Sequence, residues 1–205
     1  MRKLILKMSM TVDGFVALPN GEQPWIYKTG IEDKESAQWT LDTIRAAGAH
    51  VMGSKTFRDM ASYWPYSTEA FAEPMNSIPK VVFSHHPIPG DVTKKSEKSG
   101  MAQPTEATLA SWRAPRVASG ALADEIAKLE SESGGPLIAY GGASFAQSLV
   151  REHLPDEIHL LVHPVAVGRG LPLFSSLAEP MSLELVEAKR FPLGAVGHVY
   201  RKAKG

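Results

Sequence analysis

The sequence predicts an α/β fold: a mostly parallel central sheet, helices on both faces and an antiparallel C-terminal edge. Three observations carry this. Short apolar runs alternate with helical periodicity up to about residue 155, the order that gives parallel strands joined by crossovers. Strand patterns then dominate to the end of the chain, which favours antiparallel pairing. Twice, at Gly53 and at Gly141-Gly142, an apolar run passes through glycine straight into a helix start.

The elements follow in order. Leu4 to Met10 reads as a first strand, alternating apolar and polar from Leu6 onward, and Asp13-Gly14 turns it into Phe15-Val16-Ala17. A loop at Pro19-Asn20-Gly21 leads towards a helix over 33–47, where Asp33 can cap and Ala37, Leu41 and Ile44 share a face. Ala49 to Met52 is a short strand, Thr56 to Met60 a short helix, and Lys80 to Ser84 a buried strand. Residues 85–111 are rich in Pro, Lys, Ser and Gly, and are expected to form a surface loop or irregular hairpin. Strands are expected at 116–119 and 137–140, with helices at 121–129 and from Ala143 to near Pro155. Glu157 to Val167 should be a strand with Pro164 at a bulge or edge, and strands over 183–190 and 197–202 should close the chain through Pro192-Leu193-Gly194.

Composition narrows the function. A length of 205 residues suits a single domain over 1–205. Lys+Arg and Asp+Glu number 22 each, so no net field favours nucleic acid or an anionic membrane. Cysteine is absent, which excludes disulfides, thiol catalysis and thiolate metal sites and is compatible with the cytoplasm. Lys7, Ser9, Thr11 and Asp13 interrupt the N-terminal apolar run, so it reads as a strand rather than a signal peptide. No run approaches the roughly 18 apolar residues of a membrane span. A soluble cytoplasmic protein is expected.

The chemistry concentrates at strand exits. At Gly141-Gly142, before Ala143-Ser144-Phe145, bare backbone N–H groups open a helix; that end carries partial positive charge and suits a phosphate or pyrophosphate. Paired glycines also serve close helix–strand packing, so the turn alone leaves both readings open. Gly53-Ser54-Lys55-Thr56 departs from a P-loop in spacing and reads better as a second anion site, with an ordinary capped helix start as the alternative. Ser84 and His85 follow a third strand, where adenosine-phosphate contact competes with plain solvent exposure. The neighbouring His85 and His86 lack a suitably spaced third ligand, so no metal is expected. Trp25, Trp39, Tyr63 and Trp64 supply flat surfaces for stacking on a heterocycle or for core packing.

Taken in order, the segments KMSMTVDGFVA, VMGSKTF, KVVFS, LIAYGGASFAQSL and DEIHLLVHPVAVGRGLPLF span nearly the whole chain. The set resembles the dihydrofolate reductase superfamily and is most similar to its riboflavin-biosynthesis reductase branch, the RibD C-terminal type. The resemblance implies an NADPH-dependent reductase of the 5-amino-6-(5-phosphoribosylamino)uracil reductase kind. In it, Gly53 to Thr56 with Ser84 and His85 would hold the adenosine ribose phosphate, and Gly141 to Phe145 the pyrophosphate. Ala17 through Trp25 would cover the nicotinamide, and Trp25, Trp39 and Trp64 would face the substrate. Glu35, four residues before Trp39, echoes the acid that relays a proton in dihydrofolate reductases. Dihydrofolate reduction is one alternative, and a nucleotide-binding dimeric domain without efficient turnover is another. The resemblance also implies a homodimer formed through the C-terminal strands.

Overall fold

The computed structural model describes residues 1–96, 100 and 102–203. At its centre lies β1 (Leu4–Thr11), flanked in parallel by β6 (Leu137–Ala139) and β7 (Glu157–His163). Beyond β6 come β3 (Ala49–Gly53), β4 (Lys80–Phe83) and β5 (Arg116–Ala118), all parallel. Beyond β7, β10 (Val196–Lys202) and β9 (Leu183–Arg190) add antiparallel pairs, giving the order β5-β4-β3-β6-β1-β7-β10-β9. The expected parallel sheet with an antiparallel C-terminal edge is therefore present.

Handedness sorts the helices. Connections that run from β1 outward to β5 carry α1 (Lys34–Arg45), α2 (Ser54–Ala61), α3 (Ala72–Ser77) and α4 (Glu106–Arg113). Those that return towards β7 carry α5 (Leu122–Ser131) and α6 (Ala143–Arg151). Right-handed crossovers in opposite directions must lie on opposite faces. The core divides accordingly: Ile44, Phe57 and Trp112 pack with Ile5, Met52 and Ile138 on one face, while Ile126, Ala146 and Leu149 pack with Leu4, Leu6 and Ala139 on the other. Asp33 caps α1 as its position suggests, accepting from the backbone N–H groups of Glu35 and Ser36, and it also accepts from Leu193 N at 2.6 Å. That second bond ties α1 to the turn between β9 and β10.

Phe15–Ala17 forms β2, which pairs antiparallel with β8 (Leu171–Pro172) in a small sheet of its own. Gly170 permits this approach, since a Cβ there would run into the Ala17 carbonyl. No helix among the described residues is long and apolar enough to cross a membrane.

One expectation needs correction. The segment 85–111 is no loose excursion: Val92 and Thr93 are buried, and residues from Glu106 onward form α4, with Thr105 Oγ1 accepting from Thr108 N. Trp112 explains the difference. It is fully buried, 5.6 Å from Phe57 between ring centroids, and its indole N–H donates to Asn76 Oδ1 at 2.7 Å. Residues 97–99 and 101 of that segment lie outside the described residues. Burial also decides the polar positions of β1, where apolar and polar residues alternate from Leu6 onward. Helices cover both sides of this strand, so Lys7 is 94% buried (6% exposed), and burial lowers its amine to about 8 from the usual 10.5.

Trp112→Ala should cost about 3–5 kcal/mol by removing a packed indole, read as a lower midpoint in chemical denaturation; an unstructured excursion would show no such loss. Lys7 gives a pH signature. Because its folded value lies below its unfolded one, the folded protein binds fewer protons between about 8 and 10.5, so stability rises through that window. Lys7→Met should therefore be more stable than the wild type at pH 7, by up to about 3 kcal/mol. The gain should shrink across the window, as followed by denaturation at a series of pH values.

Candidate functional site

The sheet's connections diverge between β3 and β6. The chain leaving β3 moves outward to β4, whereas the chain leaving β6 crosses β1 to reach β7. Such a reversal leaves a crevice outside the carboxyl ends of the strands, and a cleft of about 1850 Å³ opens there. This exceeds the roughly 300–1,000 Å³ of a typical small-ligand pocket, so it has room for a dinucleotide and a second molecule.

Both glycine turns meet in this crevice. Gly53 precedes α2 and Gly142 precedes α6, each in extended backbone with no side-chain cap, and neither helix has an acid in its first turn. Their first-turn N–H groups are thus left for another acceptor. The turns are close enough that a Cβ on Gly53 would sit 3.3 Å from Phe145 Cβ, and one on Gly142 would sit 3.4 Å from Thr56 Oγ1. The Gly141-Gly142 peptide is cis. Gly142 has φ −61°, which any residue can adopt; its lack of a side chain therefore matters for space rather than for backbone conformation.

Ala17, Gly53, Ser54, Lys55, Thr56, Ser84, His85 and Gly141 through Phe145 all line the one cleft. Lys55 is exposed and pairs with Asp59 at 2.8 Å, one helical turn on. The Ser84 hydroxyl donates to His86 O at 2.8 Å and accepts from His86 N, shaping the turn after β4. Residues 20–24 also reach the cleft; the strap they belong to is closed by Leu18 N donating to Glu22 O at 2.9 Å and is tied down where Gln23 Nε2 donates to Val16 O.

The aromatic and acidic expectations divide. Trp64 lines the cleft, 6.3 Å from Phe71 between ring centroids, whereas Trp25 and Trp39 do not line it. Trp25 is buried. Trp39 packs against Phe191 and His159, with Lys7 Nζ 5.3 Å from its ring, in space left by Gly197, where a Cβ would come within 3.1 Å. Glu35 is exposed in the first turn of α1 and also lies outside the lining. Among the acids that do line the cleft is Glu69, which accepts from the Tyr63 hydroxyl. Burial and the neighbouring Glu69 push the Tyr63 phenol up to about 12.

Sequence reasoning missed a polar group at the other end of the cleft. Lys7 lines it with no hydrogen-bond or carboxylate partner among the described residues. Thr40 Oγ1 and Tyr140 Oη are buried and unpartnered, and both residues line the cleft. Register places them together. Ile5 pairs with Ile138 and Leu6 with Ala139, so Lys7 and Tyr140 are neighbours on the face that α1 covers, and Thr40 lies one turn before Ile44 on that helix. Lysine within an apolar strand pattern was the available signal.

Known proteins share this fold. The Bacillus subtilis protein YyaP, whose function is uncharacterized, is 28% identical over 204 residues, covering 97% of this chain and 94% of its own. Among solved structures, a Shewanella sp. PV-4 protein provisionally assigned to riboflavin biosynthesis superposes with TM-score 0.71 at 20% identity, covering 98% of this chain and 99% of that one. Acinetobacter baumannii RibD superposes with TM-score 0.65 at 18% identity; the match covers 99% of this chain and 58% of RibD. At those identities the likeness is one of fold. The family model of the RibD C-terminal domain matches residues 2–196, and the chain belongs to that riboflavin-type reductase family.

Proposed function

We propose that this protein is an NADPH-dependent reductase of the riboflavin-biosynthesis type, passing a hydride to a small heterocyclic or ribosylamino substrate. One observation carries the reading: two uncapped helix N-termini, at Gly53 and Gly142, face each other across a single crevice. Their free N–H groups and aligned dipoles suit the phosphates of a dinucleotide, and the missing Cβ atoms let those phosphates approach the backbone. The dihydronicotinamide supplies the hydride when bound.

The chain's own residues do the rest. Lys55, on the exposed rim beside Gly53, is the cation suited to an extra ribose phosphate, once it exchanges Asp59 for that anion. Gly141 to Phe145 hold the pyrophosphate, and Ala17 with the strap at 20–24 screens the reacting centre from water. Dihydrofolate reduction finds less support, because Glu35 lies outside the cleft. The C-terminal sheet edge is the surface for a homodimer: Leu185 and Val186 are 53% and 54% exposed on β9.

Gly142→Val should abolish saturable NADPH binding in fluorescence titration while leaving the far-UV spectrum and unfolding midpoint close to wild type. Retained affinity would remove the turn from the site. Lys55→Ala should weaken NADPH about tenfold, the loss of one partly exposed charge-assisted bond, and leave NADH nearly unchanged. Equal losses for the two cofactors would reject the phosphate assignment. Leu185→Asp combined with Val186→Lys should shift a sedimenting dimer to monomer; a wild type that sediments as a monomer at micromolar concentration would reject the dimer.

A further inference from the structure

On the β5 side of the glycine turns the cleft has a floor of its own. Gly53 pairs with Phe83 and Phe83 with Ala118, so the carboxyl ends of β3, β4 and β5 finish in one row. The Phe145 ring lies against that row, 5.2 Å from Phe83 between centroids, and its Cβ is the atom nearest to a side chain built at Gly53. Phe83, Ala118 and Phe145 all line the cleft, which makes this floor apolar. Its walls are polar: Ser84 and His85 leave β4 on one side, and Ser144 and Ser148 stand on α6 on the other. The other side of the turns is different ground, because Gly141 backs onto Met8 of β1, the strand that β2 and Ala17 pack against.

Arg151 closes the trough at its far end. Ser144, Ser148 and Arg151 recur at helical spacing on one stripe of α6, and all three line the cleft. A second stripe of the helix is occupied elsewhere: Gln147 Nε2 donates to Pro172 O at 2.6 Å, and Gln147 O accepts from Ser176 Oγ at 3.0 Å. Arg151 lies about 13 Å along the helix axis from Gly142. Helical side chains lean back towards the N-terminus, so an arginine here extends over Ser148 towards the turn. Its ion-pair partner is Glu152, the next residue, at 3.4 Å, and the arginine side chain is 51% exposed. A pair of that kind contributes little, so the guanidinium can exchange it for another contact.

The trough adjoins the Gly142 turn and lies away from β1. A cofactor with its pyrophosphate at that turn and its nicotinamide beside Ala17 therefore puts its second nucleoside here. Building on the NADPH reading, we propose that Arg151 is the residue that selects an adenosine-bearing cofactor, laying its planar guanidinium on the adenine ring above the floor of Phe83 and Phe145. A guanidinium stacks on a heterocycle by its face, whereas an ammonium of the same charge has no face to offer. The Glu152 carboxylate beside it favours an uncharged ring over a phosphate at this end.

The test titrates the full chain with NADPH and with NADH by fluorescence. Arg151→Ala should weaken both cofactors by the same factor, about tenfold, because the base is common to them, and leave the unfolding midpoint unchanged. The effect of Lys55→Ala, by contrast, is confined to NADPH. Arg151→Lys should lose nearly as much as Arg151→Ala. A spectroscopic arm uses adenosine 2′,5′-diphosphate as the probe. The Arg151 Nε–H resonance, assigned by its absence from the Arg151→Lys spectrum, should move upfield when this probe is added, as a ring stacked on the guanidinium requires.

A loss confined to NADPH, or wild-type affinity in Arg151→Lys, would make Arg151 a phosphate or general charge contact and overturn the inference. So would unchanged affinity in Arg151→Ala, or an Arg151 resonance that the probe leaves in place. A wild type that binds neither NADPH nor NADH would instead reject the reductase reading itself.

Discussion

The structure turns on where β6 enters the sheet. By lying between β3 and β1 rather than beyond β5, it brings its own carboxyl end beside that of β3, and each of these ends runs directly into a helix. Crossovers of one hand going opposite ways from adjacent strands must part to opposite faces. The gap between them is therefore a consequence of chain order, and the glycines at 53 and 142 keep it open. A side chain at either position would meet the other turn at 3.3–3.4 Å, tighter than or at the limit of comfortable contact.

Local chemistry was legible in the sequence; non-local placement was less so. Each glycine turn could be read because strand, glycine and helix start are contiguous. That they face each other depends on strand order, which no local pattern contains. Composition misled at 106–113: the surrounding Pro, Lys and Ser hid a helix whose anchor, Trp112, is buried by contact with Phe57 and Asn76. Residue type could not assign the tryptophans either. Trp64 faces the cleft, while Trp39 fills the space beside Gly197. Glu35 had the right residue type and the right spacing from an aromatic, yet a first-turn helix position turned it towards solvent.

Lys7 shows the same limit with the opposite sign. Alternation along β1 resembles a half-exposed strand, but the strand is central and covered on both faces, so its polar position lies inside. A buried amine with no carboxylate beside it is costly, and replacing it by an apolar chain of similar length relieves that cost. Residues that weaken the fold where a ligand would satisfy them are characteristic of sites.

Not every unpaired atom in this core has that meaning, and the distinction is chemical. His50 donates through Nε2–H to Pro74 O, 3.0 Å away, and His163 uses Nδ1 with Thr29 Oγ1 at 2.7 Å. Burial lowers both imidazoles to about 4, so each is neutral and has one ring nitrogen satisfied. Thr40 and Tyr140 have a single side-chain polar atom each, and it is unused. Ser36 Oγ and the Trp25 indole N–H are also unused but lie outside the cleft lining. Among the described residues, the buried hydroxyls without a partner that do line the cleft are thus those of Thr40 and Tyr140. Their position in the cleft wall is what separates them from ordinary imperfection in a core.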